Sequence, residues 1–192
     1  MRRSSRIFNL LALSFWLFMA GLRLAQAWEF KSPLALLLTL QTGLVAYWLT
    51  GRQGERVEAP FFQKAVAWLS ALLPLALQVQ GAPGWEAAGI SLAGLALAVW
   101  SLSSLGSSFG IAPADRGLVR RGPYRVLRHP MYAGELLALL GVAWGCWSAW
   151  NVAIWAVLLA TVWMRIFWEE RLLSGYADYA RQVRWRLLPG VW

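Results

Sequence analysis

Cysteine and histidine are nearly absent. The 192 residues hold one of each, Cys146 and His129. A single cysteine excludes an internal disulfide and a thiolate metal cluster. With one histidine beside it, a zinc site has too few ligands, and no metal is expected. Charge is scarce as well. Charged residues make up 14% of the chain, where soluble domains carry roughly 25%. Acids are the scarcer sign, with 9 Asp+Glu against 18 Lys+Arg. No internal repeat and no low-complexity segment is visible. What the chain has in their place is apolar surface: 59% hydrophobic residues, 14 tryptophans and a mean hydropathy of +0.50. This composition predicts an integral membrane protein. A net charge of +9 would point to nucleic acid on a soluble protein. Here the charge sits in short links between apolar runs, so anionic membrane lipids are the expected partner and nucleic acid is not.

The apolar runs predict an all-α, polytopic bundle of five or six transmembrane helices. A basic head, Met1 to Arg6, precedes a run from Ile7 to about Ala27. Ala25-Gln26-Ala27 resembles a signal cleavage site. The run is near the ~20 residues needed to span a bilayer, and Trp28 and Phe30 supply an interfacial belt, so a retained helix is expected. Further spans are predicted over Pro33 to Thr50, Phe61 to Val79 with a kink at Pro74, Trp85 to Leu105, Met131 to Gly145, and Asn151 to Trp168. Gly51 to Ala59 reads as a polar link and Gln80 to Gly84 as a turn. Gly89, Ala93, Gly94 and Ala98 are small residues that let helices approach closely. Gly141 and Gly145 are expected on the packing face of a hairpin formed by the last two spans. Residues 1–105 form the N-terminal helices in this reading, and residues 106–192 form the catalytic region. All of the Lys and Arg except Arg23 and Lys31 fall on one side of such a bundle. The positive-inside bias makes that side the cytoplasm, with both termini there and the cell inner membrane as the expected location.

Between Arg116 and Gly134 the chain turns polar, cationic and rich in Gly and Pro. Arg120, Arg121, Arg125 and Arg128 each have a plain reading as topogenic charge, and Tyr124 and Tyr132 as interfacial residues. Gly117, Gly122 and Pro123 signal a turn. In His129-Pro130 the proline restricts the preceding residue to extended backbone and suits the first turn of a helix, so His129 caps the start of span five. Downstream, Arg165 and Glu169 lie four apart on one helical face, with Glu170 next to them. Ionisable groups at a membrane helix end are costly unless paired or facing a polar cavity. They therefore read as a helix-end salt bridge or as one wall of a pocket facing His129 and Tyr132. Glu135, a turn into span five, either joins them or faces water. From Arg165 on, Arg alternates with Trp and Tyr, which suits a short amphipathic segment in the interface.

Gly122-Pro123-Tyr124, then Arg128-His129-Pro130-Met131-Tyr132-Ala133-Gly134, then Arg165 and Glu169-Glu170, then Tyr176-Ala177-Asp178-Tyr179 and Pro189 resemble the isoprenylcysteine carboxyl methyltransferases and related membrane phospholipid methyltransferases. The resemblance runs from about Leu105 to the end. It implies S-adenosylmethionine-dependent methyl transfer to a lipophilic acceptor or lipid at the cytoplasmic face. Carried over by position, Gly117, Leu118, Val119, Tyr124, His129, Pro130, Met131, Tyr132 and Glu170 are the cofactor set. Arg165 and Glu169 are the catalytic pair where cofactor and acceptor meet. A carboxylate acceptor needs no base, whereas an amine acceptor needs one, and Glu169 or Glu170 is then the candidate. Two departures stand out. The segment from Glu170 to Tyr176 is shorter than in that family. Gly134-Glu135 also resembles the membrane sterol and steroid reductases, which use NADPH, and that reading stays open beside a non-catalytic scaffold.

Overall fold

The computed structural model describes residues 3–30, 33–50, 57–78 and 84–192. Arg52, Arg56, Lys31 and most of the turn expected at 80–84 lie outside them. The chain is mostly helical: α1 (Arg3–Phe30), α2 (Pro33–Thr50), α3 (Phe61–Leu72), α4 (Trp85–Leu105), α5 (Pro130–Gly145), α6 (Ala149–Leu172) and α7 (Tyr176–Gln182). Among the described residues two helical stretches, Trp85–Ser108 and Ala149–Leu172, are long and apolar enough to cross a membrane. α5 has 16 residues and α3 has 12, both short of the ~20 that a perpendicular span takes.

The best-packed seam runs between α4 and α5, and small residues make it. The helices are antiparallel there. A Cβ added at Gly134 would lie 2.6 Å from the Ala98 nitrogen and 2.7 Å from the Gly94 carbonyl oxygen, and one at Gly141 would lie 2.6 Å from the Ala87 carbonyl oxygen. Backbone thus meets backbone over about two turns. Lipid tails are as apolar as the side chains, so close packing rather than water exclusion holds such a pair together. Ser91 adds a hydrogen bond across the seam, its hydroxyl donating to the Ala138 carbonyl at 2.9 Å. Gly94 and Ala98 are in the seam as expected, while Gly89 and Ala93 are exposed. Gly141 faces α4 and not α6, which corrects the expected hairpin packing face.

α6 packs on the other side of α5 through Tyr132, Leu136, Leu158, Val162 and Ile166. It starts at Ser148, whose hydroxyl accepts from the Asn151 backbone at 3.1 Å. Contacts of α2 with α4, and of α1 with α2, complete the bundle. The third span departs from expectation. Its α-helix stops at Leu72, and Leu73–Ala76 continue as a 3₁₀ turn. Pro74 lacks an N–H and its ring clashes with the carbonyl four residues back, so the helix ends instead of kinking. Asn151, 1% exposed, seals that end. Its Nδ2 donates to the Gln78 carbonyl at 2.9 Å, and its Oδ1 accepts from Gln78 N at 2.9 Å.

Two further elements qualify an all-α description. β1 (Val57–Glu58) pairs antiparallel with β2 (Ala114–Asp115), Val57 opposite Asp115, so the link before α3 is laced to the loop after α4. Leu127 and Trp185 form a parallel bridge. The tail is therefore tied to the loop before α5. It folds back as a short helix and an extended strip against the Arg116–Gly134 stretch. The exposed Trp85, Trp144, Trp147 and Trp150 gather at the opposite end of the bundle, the distribution of an interfacial belt.

Candidate active site

The central stretch and the tail interlock through backbone polar groups. Arg128 N donates to the Trp185 carbonyl at 2.8 Å, and His129 N donates to the Arg186 carbonyl at 3.0 Å. Arg128 then reaches back with its side chain. Nε donates to the Val183 carbonyl at 2.7 Å and Nη2 to the Ala180 carbonyl at 2.8 Å. These oxygens close α7, where the helix leaves carbonyls without partners and carries partial negative charge, so a guanidinium belongs there. Arg120, Arg121 and Arg125 are exposed, and Arg121 Nε donates to the Ser104 carbonyl at the end of α4 at 2.8 Å. Among the described residues Arg128 is the one of the four whose hydrogen bonds tie this stretch to the tail.

Tyr179, 2% exposed, is the matching pin from the tail. Its hydroxyl lies 2.7 Å from the Tyr124 carbonyl and 3.3 Å from that of Leu127, and donates to them. Burial pushes its phenol up to about 12, against the pull of the Arg128 and Arg120 guanidiniums. Burial raises Tyr124 well above the ordinary phenol range, with the Glu169 charge adding to it. Burial raises Tyr176 too, followed by its bond to Glu170. All three stay protonated donors at neutral pH.

His129 is the N-cap residue of α5 and Pro130 its first residue, as expected. The imidazole is 6% exposed and stacks on Tyr132, with ring centroids 5.9 Å apart and planes 15° apart. Two carboxylates flank it. Glu170 Oε1 lies 3.3 Å from Nε2, and Glu169 Oε2 lies 3.9 Å from Nδ1. Glu170 also accepts from Tyr176, and from Arg186 in a two-pronged contact of 2.8 and 3.0 Å. That contact raises the Arg186 guanidinium further above its ordinary range. Glu169 accepts from the Tyr132 hydroxyl.

Around these groups lies a cavity of about 730 Å³, its open mouth included. Gly117, Leu118 and Val119 line it, together with His129, Met131 and Tyr132. Glu169, Tyr124, Leu173 and Tyr176 belong to the lining too. Eight of the eleven residues singled out from sequence therefore face one space. Pro130, Arg165 and Glu170 stand behind the wall. Arg165, 4% exposed, donates from Nη2 to the Ile111 carbonyl at 2.9 Å and from Nη1 to Ser70 at 3.4 Å. Its Cζ sits 4.7 Å from the Tyr132 ring centroid. Its hydrogen bonds go to the neighbouring loop and to α3 instead of to Glu169, one turn away on the same helix. Glu135 shares the electrostatic field of Arg165 and Glu169.

Sequence reading passed over the wall formed by Phe109, Gly110, Pro113 and Arg116. Gly110 lies so close to the Arg116 guanidinium that a Cβ would overlap it. Gly106, Gly110 and Pro113 are the breaker residues of the segment that follows α4. That this segment would be buried against a site 50 residues downstream had no local signal.

Residues 85–178 match the sequence profile of the phospholipid methyltransferase family. Over this region the chain is similar to that family. The match begins with α4, takes in the loop, α5 and α6, and ends on the first turn of α7. It contains the α4–α5 seam and every cavity residue named above. No curated protein matches the chain. The family is one of methyltransferases, so the phospholipid methyltransferase region supports a membrane enzyme of that activity acting on lipid.

Proposed function

We propose that the protein is an S-adenosylmethionine-dependent methyltransferase that modifies a lipophilic acceptor at the cytoplasmic mouth of a six-helix bundle. The observation that carries the reading is a cavity lined jointly by the loop and tail motifs. The donor's chemistry fits its lining. A sulfonium favours aromatic faces, and Tyr124, Tyr132 and Tyr176 line the space. The donor's ammonium and ribose hydroxyls suit a carboxylate, and Glu169 presents one at 21% exposure. Its carboxylate suits a cation, and Arg116 and Arg128 stand in the wall. When bound, the donor supplies an electrophilic methyl group.

The protein's contribution is to bind, orient and handle a proton. Gly117, Leu118 and Val119 cover one side of the donor, and Met131 and Tyr132 the other. Glu170 and Pro130 act through His129, the first by holding the ring and the second by fixing its backbone. Arg165 holds Tyr132 and the Ile111 loop at the base. Positioning two reactants in this way removes much of the entropic barrier. Glu169 is the proton acceptor if the acceptor is an amine, with Tyr132 fixing the carboxylate's orientation.

Calorimetry of the full chain in detergent tests the reading. Saturable binding of S-adenosylmethionine, lost in Glu169→Gln and His129→Ala while both variants stay folded, is expected. Binding of NADPH and not of S-adenosylmethionine would overturn it in favour of a reductase.

A further inference from the structure

Asp115 is the most deeply buried acid in the described residues, at 0% exposure, and no step above uses it. It lies outside the cavity lining, yet it joins two segments that line it. Oδ1 accepts from the Gly117 backbone at 3.0 Å. Oδ2 accepts from the Ser174 hydroxyl at 2.6 Å and faces Ser174 N at 3.3 Å. Gly117 begins the Gly117–Val119 segment. Ser174 stands between Leu173 and Tyr176, which line the cavity too.

The surroundings make this a fixed strut. Asp115 sits in β2, paired with Val57 of β1, so its backbone cannot drift with the loop. Gly117 has a φ of 90°, a left-handed conformation that only glycine adopts without strain. The Asp115 carboxylate, two residues earlier, accepts its N–H in the manner of an Asx turn. On the far side, Leu118 reaches to within 3.9 Å of the position a Gly175 side chain would take. The two lining segments thus touch beside the strut.

We propose that Asp115, together with Ser174, is the positioning residue that fixes two lining segments of the methyl-donor cavity, 117–119 and 173–176, relative to each other. It does so without touching the donor. The inference rests on the donor occupying that cavity. Asp115 ties a 59-residue span of chain into one rigid opening, so loosening it costs donor affinity before it costs chemistry.

The test uses the full chain in detergent and two readouts. The first is donor binding and turnover. Asp115→Asn is expected to raise the S-adenosylmethionine dissociation constant about tenfold, and Ser174→Ala about threefold. At saturating donor, kcat should stay within about twofold of wild type. Ser174→Thr, which keeps the hydroxyl, should bind as wild type. The double variant Asp115→Asn/Ser174→Ala should be no weaker than Asp115→Asn alone, because the two side chains act as one unit. The second readout is amide exchange without any donor, which should quicken in peptides covering 116–119 and 173–176 in Asp115→Asn and in Ser174→Ala. Unchanged exchange in both variants would overturn the strut, whatever the wild type binds. Quickened exchange with wild-type donor affinity would overturn its role in positioning. Should wild type bind no donor at all while exchange quickens as expected, the methyl-donor reading falls and the positioning role falls with it. The Asp115–Ser174 tie would stand as structure alone. Ser174 is exposed, so Ser174→Ala keeps the test open if Asp115→Asn does not fold.

Discussion

The α4–α5 seam and the loop–tail junction hold the two halves of the site in place by opposite means. At the seam, Gly94, Gly134 and Gly141 bring backbones into contact with almost no polar bonding, and shape is everything. At the junction, Arg128, Tyr179, Glu170 and Arg186 span long stretches of chain through directed hydrogen bonds, and shape counts for little. The difference follows from the surroundings. Inside a bilayer, burying apolar atoms gains nothing over lipid, so helices cohere by fit. At the membrane mouth water competes for every polar group, and a network persists when its members satisfy one another and are partly shielded. A bundle of this kind sets where the site is, and the junction sets its shape.

The comparison breaks most sharply at the seam. Gly94→Val forces side-chain atoms into the α5 backbone, where nothing flexible can yield. A loss of about 3 kcal/mol or more is expected, at the upper end for overpacking, read by denaturing-detergent titration. Gly89→Ala is the control, because a Cβ there meets nothing within 4 Å. It should be neutral, or more stable by up to about 1 kcal/mol from helix propensity. If both glycines behave alike, the seam is not packed as described.

At the junction the largest effect belongs to Glu170→Ala, which strands Arg186, Tyr176 and His129 at once. Hydrogen bonds to a charged group contribute about 1.5–3 kcal/mol, and a loss of about 2–3 kcal/mol is expected by the same titration. Arg128→Ala should cost less, about 1–2 kcal/mol, since two carbonyl bonds are lost. It should appear first as faster amide exchange over Tyr176 to Val183, with α4 and α5 unaffected. Tyr179→Phe removes only a hydroxyl, and about 1 kcal/mol is expected.

Tyr179 also sharpens the contrast by pH. Its phenol is raised above the unfolded value of about 10, so its contribution is complete below that pH. It is lost as pH rises through the folded value of about 12. The tail of the wild type should therefore loosen between those limits, and that of Tyr179→Phe should show a smaller change. A seam made of glycines has nothing to titrate there.

Legibility from sequence followed the same divide. His129-Pro130 announced the start of α5 because capping and proline geometry are local. The loop and tail motifs announced that they belong together because the family pattern orders them. Arg128 looked like topogenic charge, no different from Arg120, Arg121 and Arg125. Its work on the α7 carbonyls depends on chain more than 50 residues away. Arg165 and Glu169 have the spacing of a helix salt bridge. In the fold Arg165 turns instead to Ile111, Ser70 and Tyr132. Pro74 was read as a kink in a long helix, where Asn151 of α6 provides an end for a short one.

Composition and motif order were enough to make this an apolar helical bundle with a polar site at one mouth, because hydrophobic runs and breaker residues act over a few neighbours. Contacts across the fold decided the rest. Gly141 faces α4, Asp115 and Ser174 meet beside the cavity, and Arg116 and Phe109 line it. A buried charge or a bare glycine backbone has no distinctive local pattern, and its meaning is set by whatever distant chain is pressed against it.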